Sequence, residues 1–370
     1  MYNNWYLLAA IPVFALLILV HEFGHFITAK WAGIRVDEFA LGFPPRLLSF
    51  KRGETTYSIN LIPLGGYVKM PGENGETTDD NGTYDPRNFA AKPASRRLIV
   101  LLAGVTMNLI LAVVLFSVAE AVGRVEFRPV IGSVEANSPA QAVGLRAGDR
   151  ILDVNGQPIK YFSDMQNDTT NTMNAYVSAH KGATTVPITL TVQYPGQAVR
   201  TLTVNARVKP PQNQGAIGIQ ADQTNPYHLR TPIWQAPIRG VQDIGSVTVA
   251  TWQGIQSIIR GIIPFNQAFT GPVGIVHITG EVASTVPTDG WYSILFLTGF
   301  LSLNLAIVNV LPIPALDGGR VLLIIIELLR RGKRLSPERE GLVNLIGMAA
   351  LLLLIALITV NDIGGLFAGR

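Results

Sequence analysis

The residues most able to do chemistry are His21-Glu22-Phe23-Gly24-His25. On a helix, two histidines four positions apart stand on one face a single turn from each other, so both rings can reach one ion. Glu22 stands beside them and can face the open side of that ion. The chemistry such a set performs is metal-assisted hydrolysis, with the ion polarising a carbonyl and the carboxylate handling the proton of water. The string also occurs by chance, and here it closes a strongly apolar stretch, so a blander reading has it marking the interfacial end of a helix. Against that, ionisable side chains inside a span cost about 2.5–3.5 kcal/mol each. Three of them so close together call for a compensating partner.

A catalytic zinc needs a third protein ligand and one open position. The chain has no cysteine, which excludes thiolate ligands, thiol catalysis and disulfides and leaves only nitrogen and oxygen donors. The remaining histidines, His180, His228 and His277, fall outside the expected spans and read as ordinary loop or surface residues. Of the acidic residues Asp317 is the strongest candidate. Asp317 stands in Asn309-Val310-Leu311-Pro312-Ile313-Pro314-Ala315-Leu316-Asp317-Gly318-Gly319, an apolar setting in which two prolines free backbone carbonyls and two glycines allow close approach. Glu327 is the rival, but it sits closer to the basic cluster, and pairing with Arg330 or Arg331 explains it more cheaply.

The elements that must position these groups are membrane spans. Of 370 residues 48% are hydrophobic and 15% charged, more apolar surface than a soluble domain of this size buries. The mean hydropathy of +0.31 agrees. The net charge of +4 is then a matter of membrane topology, and with no basic run interleaved with aromatics a nucleic-acid partner is not expected. Apolar stretches over Trp5–Ala29, Leu98–Val122, Trp291–Leu329 and Leu342–Val360 predict about four spans, the third broken at Pro312 and Pro314. A signal peptide is a poor reading of the first, since no basic residue precedes it and no small-residue cleavage site follows. Lys30, Lys51, Arg52, Lys92, Arg96 and Arg97, with Arg330, Arg331, Lys333 and Arg334, put residues 30–97 and 330–340 on the cytoplasmic side and the long segment 123–290 outside.

Residues 36–70 predict short strands turning at Gly53-Glu54 and Gly65-Gly66, a cytosolic, membrane-associated β-hairpin or small sheet. It is either a substrate edge or a sheet that merely closes the loop. Residues 71–88 read as a mobile acidic loop. Strands are expected over 130–134, 150–154, 186–193 and 200–208, with a short helix over 139–143. The string from Ser138 to Leu152, followed by Val154-Asn155-Gly156, resembles a PDZ domain, with Gly215-Ala216-Ile217-Gly218-Ile219 in the place of a peptide-binding strand. Such a domain adds an extended peptide to a sheet edge, or acts only as a steric filter. Residues 233–263 repeat apolar positions at helical spacing and predict an amphipathic helix on the outer membrane surface, ahead of a breaker at Gly271-Pro272-Val273-Gly274-Ile275.

Taken in order, the His-Glu-Phe-Gly-His box, Gly65-Gly66-Tyr67-Val68-Lys69-Met70, Gly104-Val105-Thr106-Met107-Asn108, the PDZ-like string, Gly271-Pro272-Val273-Gly274 and Leu316-Asp317-Gly318-Gly319 resemble the site-2 protease family, in particular its bacterial members with a single PDZ domain. The resemblance covers most of the chain. It implies one Zn²⁺ per chain held by His21, His25 and Asp317, and Glu22 as catalytic base. It further implies that Asn309 holds the substrate backbone or oxyanion, and that the segment Gly65, Gly66, Tyr67, Val68, Lys69 and Met70 captures substrate as an added strand. The implied fold is a polytopic α-helical membrane protein with an extracytoplasmic PDZ-like β domain. Implied boundaries are 1–29 for the first span, 30–95 for the hairpin region, 96–122 for the second span and 123–222 for the PDZ-like domain. They continue with 223–289 for the amphipathic helix and re-entry, 290–331 for the broken third span and 332–370 for the fourth. The implied place is the bacterial inner membrane, with the active site toward the cytoplasm. The implied substrates are single-pass membrane proteins such as anti-sigma factors or remnant signal peptides. Two positions depart from the pattern: Arg320, where many members have His, and Val105, where Pro is frequent.

Two other classes fit less well. A silent membrane scaffold using its PDZ would be expected to have lost some of His21, Glu22, His25 and Asp317. A metal transporter would need further intramembrane histidines or carboxylates along a path, and none stands out.

Overall fold

A computed structural model describes residues 4–73, 77, 84–180, 182–211, 214–259 and 270–367. Much of the expected acidic loop over 71–88 and the end of the amphipathic stretch, 260–263, lie outside them. The chain divides into two compact units, one of residues 1–122 with 231–369 and one of residues 123–230.

In the first unit a 3₁₀ turn over Asn4–Ala9 leads into helix α1, Ala10–Trp31. Lys30 in its last turn is paired with Glu54 at 2.6 Å. Strands β1, Glu38–Arg52, and β2, Thr55–Lys69, turn at Gly53-Glu54. Gly65 and Gly66 are not a second turn between strands: both lie within β2, which bends there so that its end returns along the start of β1. The register shows the doubling, with Phe50 opposite Tyr57 near the turn and Leu41 opposite Gly66, Ala40 opposite Tyr67 and Glu38 opposite Lys69 at the far end. The rings of Phe26, Phe39, Tyr57 and Phe50 pack in sequence and hold this sheet to α1. Helix α2, Ala94–Val122, follows and packs against α1. Gly24 makes the contact possible, because a Cβ there would meet Ala103 O at 2.5 Å, a small-residue seam of the kind membrane helices use for close approach.

The second unit is mostly β. Its elements are β3, Arg124–Glu126; β4, Ile131–Val134; α3, Pro139–Ala142; β5, Arg150–Val154; β6, Gln157–Pro158; α4, Phe162–Ala179; β7, Thr185–Gln193; β8, Arg200–Arg207; β9, Ile219–Ala221; and β10, Tyr227–Leu229. A four-stranded sheet runs in the order β6-β5-β7-β8, while β4 pairs with β9 and β3 with β10. Alternation along β7 buries Val186, Ile188, Leu190 and Val192 in one core with Ile131, Ile151 and Val204. Ser138 caps α3, its Oγ accepting from Gln141 N at 3.1 Å. The long helix α4 was not expected from the sequence. Its polar run of Asn, Asp and Thr obscures a single apolar stripe of Phe162, Met165, Met173 and Tyr176.

The chain then re-enters the first unit. Helix α5, Ala236–Ile259, lays Gly240 and Val247 on α2 and leaves Ile238, Val241, Trp252 and Ile259 exposed. Gly271, expected as a breaker, caps the start of α6, Pro272–Ser284, with its N–H and that of Gly274 donating to Asp362. After α7, Val286–Asp289, helix α8 covers Tyr292–Val310, and the chain leaves helical geometry at Leu311 as Pro312 and Pro314 follow. Helix α9, Asp317–Leu329, and α10, Pro337–Phe367, complete the chain. Among the described residues four helices are long and apolar enough to cross a membrane: Tyr6–Trp31, Ala94–Val122, Tyr292–Val310 and Glu338–Gly365.

Candidate metal centre

Helical spacing puts His21 and His25 side by side, their ring centroids 4.8 Å apart and their Nε2 atoms 3.2 Å apart. Both are buried, on the face of α1 that meets α2 and α9. The turn after α8 brings Asp317 to them as the first residue of α9, where the unpaired N–H groups of a helix start favour a carboxylate. Close packing makes this turn possible. A Cβ at Gly318 would collide with the carbonyl oxygens of Val310 and Leu311, and one at Gly319 with that of Ile313. Asp317 Oδ2 ends 3.2 Å from His21 Nε2 and 3.2 Å from His25 Nε2.

Three donor atoms, two nitrogens and one oxygen, thus form a triangle with every edge 3.2 Å. A four-coordinate zinc with ligands at about 2.0–2.1 Å spaces neighbouring donors about 3.3 Å apart, so the triangle fits such an ion. Asp317 Oδ2 is buried and accepts no hydrogen bond, as expected of an oxygen whose lone pair is meant for a metal. The rings are held from behind by α2. His25 Nδ1 lies 2.8 Å from Val100 O and His21 Nδ1 3.1 Å from the carboxamide of Asn108. Gly104 stands between these two supports, where a Cβ would collide with His25 Nε2 and come within 2.8 Å of His21 Cε1.

The group opens on a cavity of about 530 Å³. Glu22 and Asn309 line it, as do Gly65, Gly66, Tyr67, Val68 and Met70, while Lys69 is not among its walls. A Cβ on Gly66 would lie 3.0 Å from Glu22 Cγ, so the returning end of β2 runs directly beside that carboxylate. Among the described residues Gly66–Lys69 pairs along one side, with Glu38–Leu41. Arg320 also faces the cavity, in an ion pair with Glu73.

The rival carboxylate is elsewhere engaged. Glu327 takes a two-pronged bond from Arg97 at 2.7 and 2.8 Å and another from Arg334 at 2.9 Å. The partners expected from sequence, Arg330 and Arg331, are not the ones it uses, because α9 packs on α2 and turns Glu327 toward that helix. His180 stacks on Tyr176 at the end of α4, His228 lies in β10 and His277 pairs with Glu281 at 3.6 Å, none of them in the group with Asp317. Asn108, Gly104 and the Arg320–Glu73 pair had no role assigned from sequence. A lone Asn at the middle of an apolar span was the available signal for the first.

Fold and centre together define a multi-pass membrane protein with a metallohydrolase-type His-Glu-x-x-His helix. The model of peptidase family M50 matches residues 9–354, and the chain belongs to that family, the site-2 proteases. It is a zinc metalloprotease. Its relatives include a Clostridium acetobutylicum protein carrying the name of a zinc metalloprotease, 34% identical over 96% of each chain. The zinc metalloprotease RasP of Geobacillus kaustophilus is 30% identical over 98% of each chain. The regulator of sigma-W protease RasP of Bacillus subtilis is 30% identical over 97% of this chain and 98% of its own.

Proposed function

We propose that this protein cleaves peptide bonds within or beside the membrane span of single-pass proteins, using one zinc held by His21, His25 and Asp317. The observation that carries the reading is the position of Asp317 Oδ2, equidistant at 3.2 Å from two imidazole nitrogens. When bound, zinc supplies Lewis acidity, polarising a peptide carbonyl and making water a usable nucleophile near neutral pH. Glu22 takes the proton of that water on its carboxylate and returns it to the leaving amine. The Asn309 carboxamide, facing the same cavity, orients the scissile backbone or its oxyanion. A peptide bond in a lipid-exposed helix has its polar groups already satisfied, so substrate must unwind before it can react. The edge over Gly65, Gly66, Tyr67, Val68, Lys69 and Met70 holds it extended by strand addition, and the place of Gly66 beside Glu22 supports this.

The basic connections at residues 30–97 and 330–340 support an active site toward the cytoplasm in a bacterial inner membrane, with residues 123–230 outside. We read that unit as PDZ-like. A groove of about 320 Å³ between α4, at Phe162, Met165 and Met173, and the segment Gly215–Ile219 suits an extended peptide. The sigma-W regulator relative favours anti-sigma factors as substrates, with remnant signal peptides as the other class of single-span protein. Glu22→Gln tests the reading. The variant retains zinc and loses cleavage of a single-span reporter in vesicles; cleavage at the wild-type rate refutes it.

A further inference from the structure

Val100, Gly104 and Asn108 follow one another at four-residue spacing, so they form one stripe of α2, the stripe that faces the two histidines. Each has a different part. The Val100 carbonyl receives His25 Nδ1 at 2.8 Å, Gly104 leaves room for both rings, and the Asn108 carboxamide meets His21 Nδ1 at 3.1 Å. Asn108 is itself fully buried and fixed from α8, where Ser302 Oγ donates to its backbone carbonyl at 2.7 Å.

The polarity of the two supports must match. A carbonyl can only accept, so His25 donates from Nδ1 and keeps the lone pair of Nε2 for Asp317's side of the site. The amide nitrogen of Asn108 faces His21 Nδ1 and its Oδ1 has no hydrogen-bond partner. In that orientation a neutral His21 ring would carry its proton on Nε2, pointing into the triangle and offering an ion nothing. A half-turn of the carboxamide exchanges oxygen for nitrogen in nearly the same volume and presents an acceptor to Nδ1. Only this orientation leaves both imidazoles with lone pairs on the atoms that converge at 3.2 Å.

We propose that Asn108 is a positioning residue for the metal: its Oδ1 accepts the Nδ1 proton of His21, fixing the ring and the tautomer that exposes Nε2. This rests on the reading of His21, His25 and Asp317 as the zinc ligands. Residues that orient a ligating imidazole from behind typically govern metal affinity by about 10–100-fold.

The test uses the full chain in detergent and reads zinc affinity by competition with a chelator, with thermal unfolding of the metal-free protein as the control for folding. Asn108→Asp keeps an acceptor of the same length and turns the contact into a carboxylate–histidine–zinc relay; it should bind zinc at least as tightly as the wild type. Asn108→Leu keeps the volume and removes the acceptor; it should lose about 10–100-fold in affinity while its metal-free unfolding midpoint stays near that of N108D. Wild-type affinity in N108L overturns the proposal. So does an affinity loss in N108D, an outcome that stands even if N108L does not fold. His21→Ala separates the two levels of inference: if it too leaves zinc affinity unchanged, the ligand assignment fails, whereas loss in H21A with no effect of Asn108 defeats the positioning role alone.

Discussion

Gly104→Ala adds one methyl group at a point where α2 lies against both proposed ligand rings. Helix propensity by itself favours alanine over glycine by about 0.8–1 kcal/mol. Opposing it, the new Cβ would collide with His25 Nε2 and stand 2.8 Å from His21 Cε1, against about 3.4 Å or more for an ordinary contact. Both rings must therefore retreat by at least about 0.6 Å, and His25 cannot do so without stretching its 2.8 Å bond to Val100 O. In the metal-free protein the weakened His25–Val100 bond, worth about 0.5–1.5 kcal/mol, is offset by the gain in helix propensity, so the folding midpoint should barely change. In the zinc form the rings are committed to one point, and a misplacement approaching 1 Å costs on the order of 10²-fold in turnover. Zinc content after dialysis and cleavage of a single-span reporter measure the effect. A G104A protein with full zinc occupancy and a cleavage rate within about two-fold of the wild type would refute the packing argument.

Gly66→Val should abolish or strongly slow cleavage with zinc retained, because its Cβ would meet Ile18 Cγ2 at 2.8 Å, Ala40 O at 2.9 Å and Glu22 Cγ at 3.0 Å; a normal rate would show that the strand beside Glu22 is not used. Glu327→Gln should keep zinc, separating this carboxylate from Asp317, yet lower the unfolding midpoint, since stripping one partner from a buried ion pair such as Arg97–Glu327 costs about 3–5 kcal/mol. Loss of zinc in that variant would reinstate Glu327 as a ligand. Glu54, outside the spans, has its carboxyl held below the usual value by hydrogen bonds from Lys30 and Arg87. A depressed folded-state pKa adds stability above the unfolded value and loses it as the pH falls. The small midpoint difference between wild type and Glu54→Gln should therefore shrink below about pH 4.5, and a difference that grows in acid would contradict it.

What could be read without a structure was whatever is periodic or local. Two histidines four apart share a helix face wherever the helix goes, and apolar stretches of span length declare themselves by composition. The same local logic shows Pro312 and Pro314 interrupting the third apolar region. It failed where a signal was diluted, as in α4, whose apolar stripe is spread among Asn and Thr, and at Gly65-Gly66, where glycines lie inside a strand and admit close neighbours.

The sequence favours Asp317 over Glu327 as the carboxylate of the set, and what the tertiary structure adds is where each of them is placed. Both are acidic and lie in or near the same apolar region, and the two glycines after Asp317 and the basic cluster beside Glu327 already lean toward Asp317. Packing of α9 on α2 surrounds Glu327 with Arg97 and Arg334, and the turn after α8 delivers Asp317 to the rings of α1. Asn108 left a trace in the sequence, as a lone Asn within an apolar span and the end of the Gly104–Asn108 box, but its contact with His21 and that of the Val100 carbonyl with His25 were beyond a linear reading. They depend on how two helices distant in the chain meet, and the spacing of residues along either one does not encode that meeting.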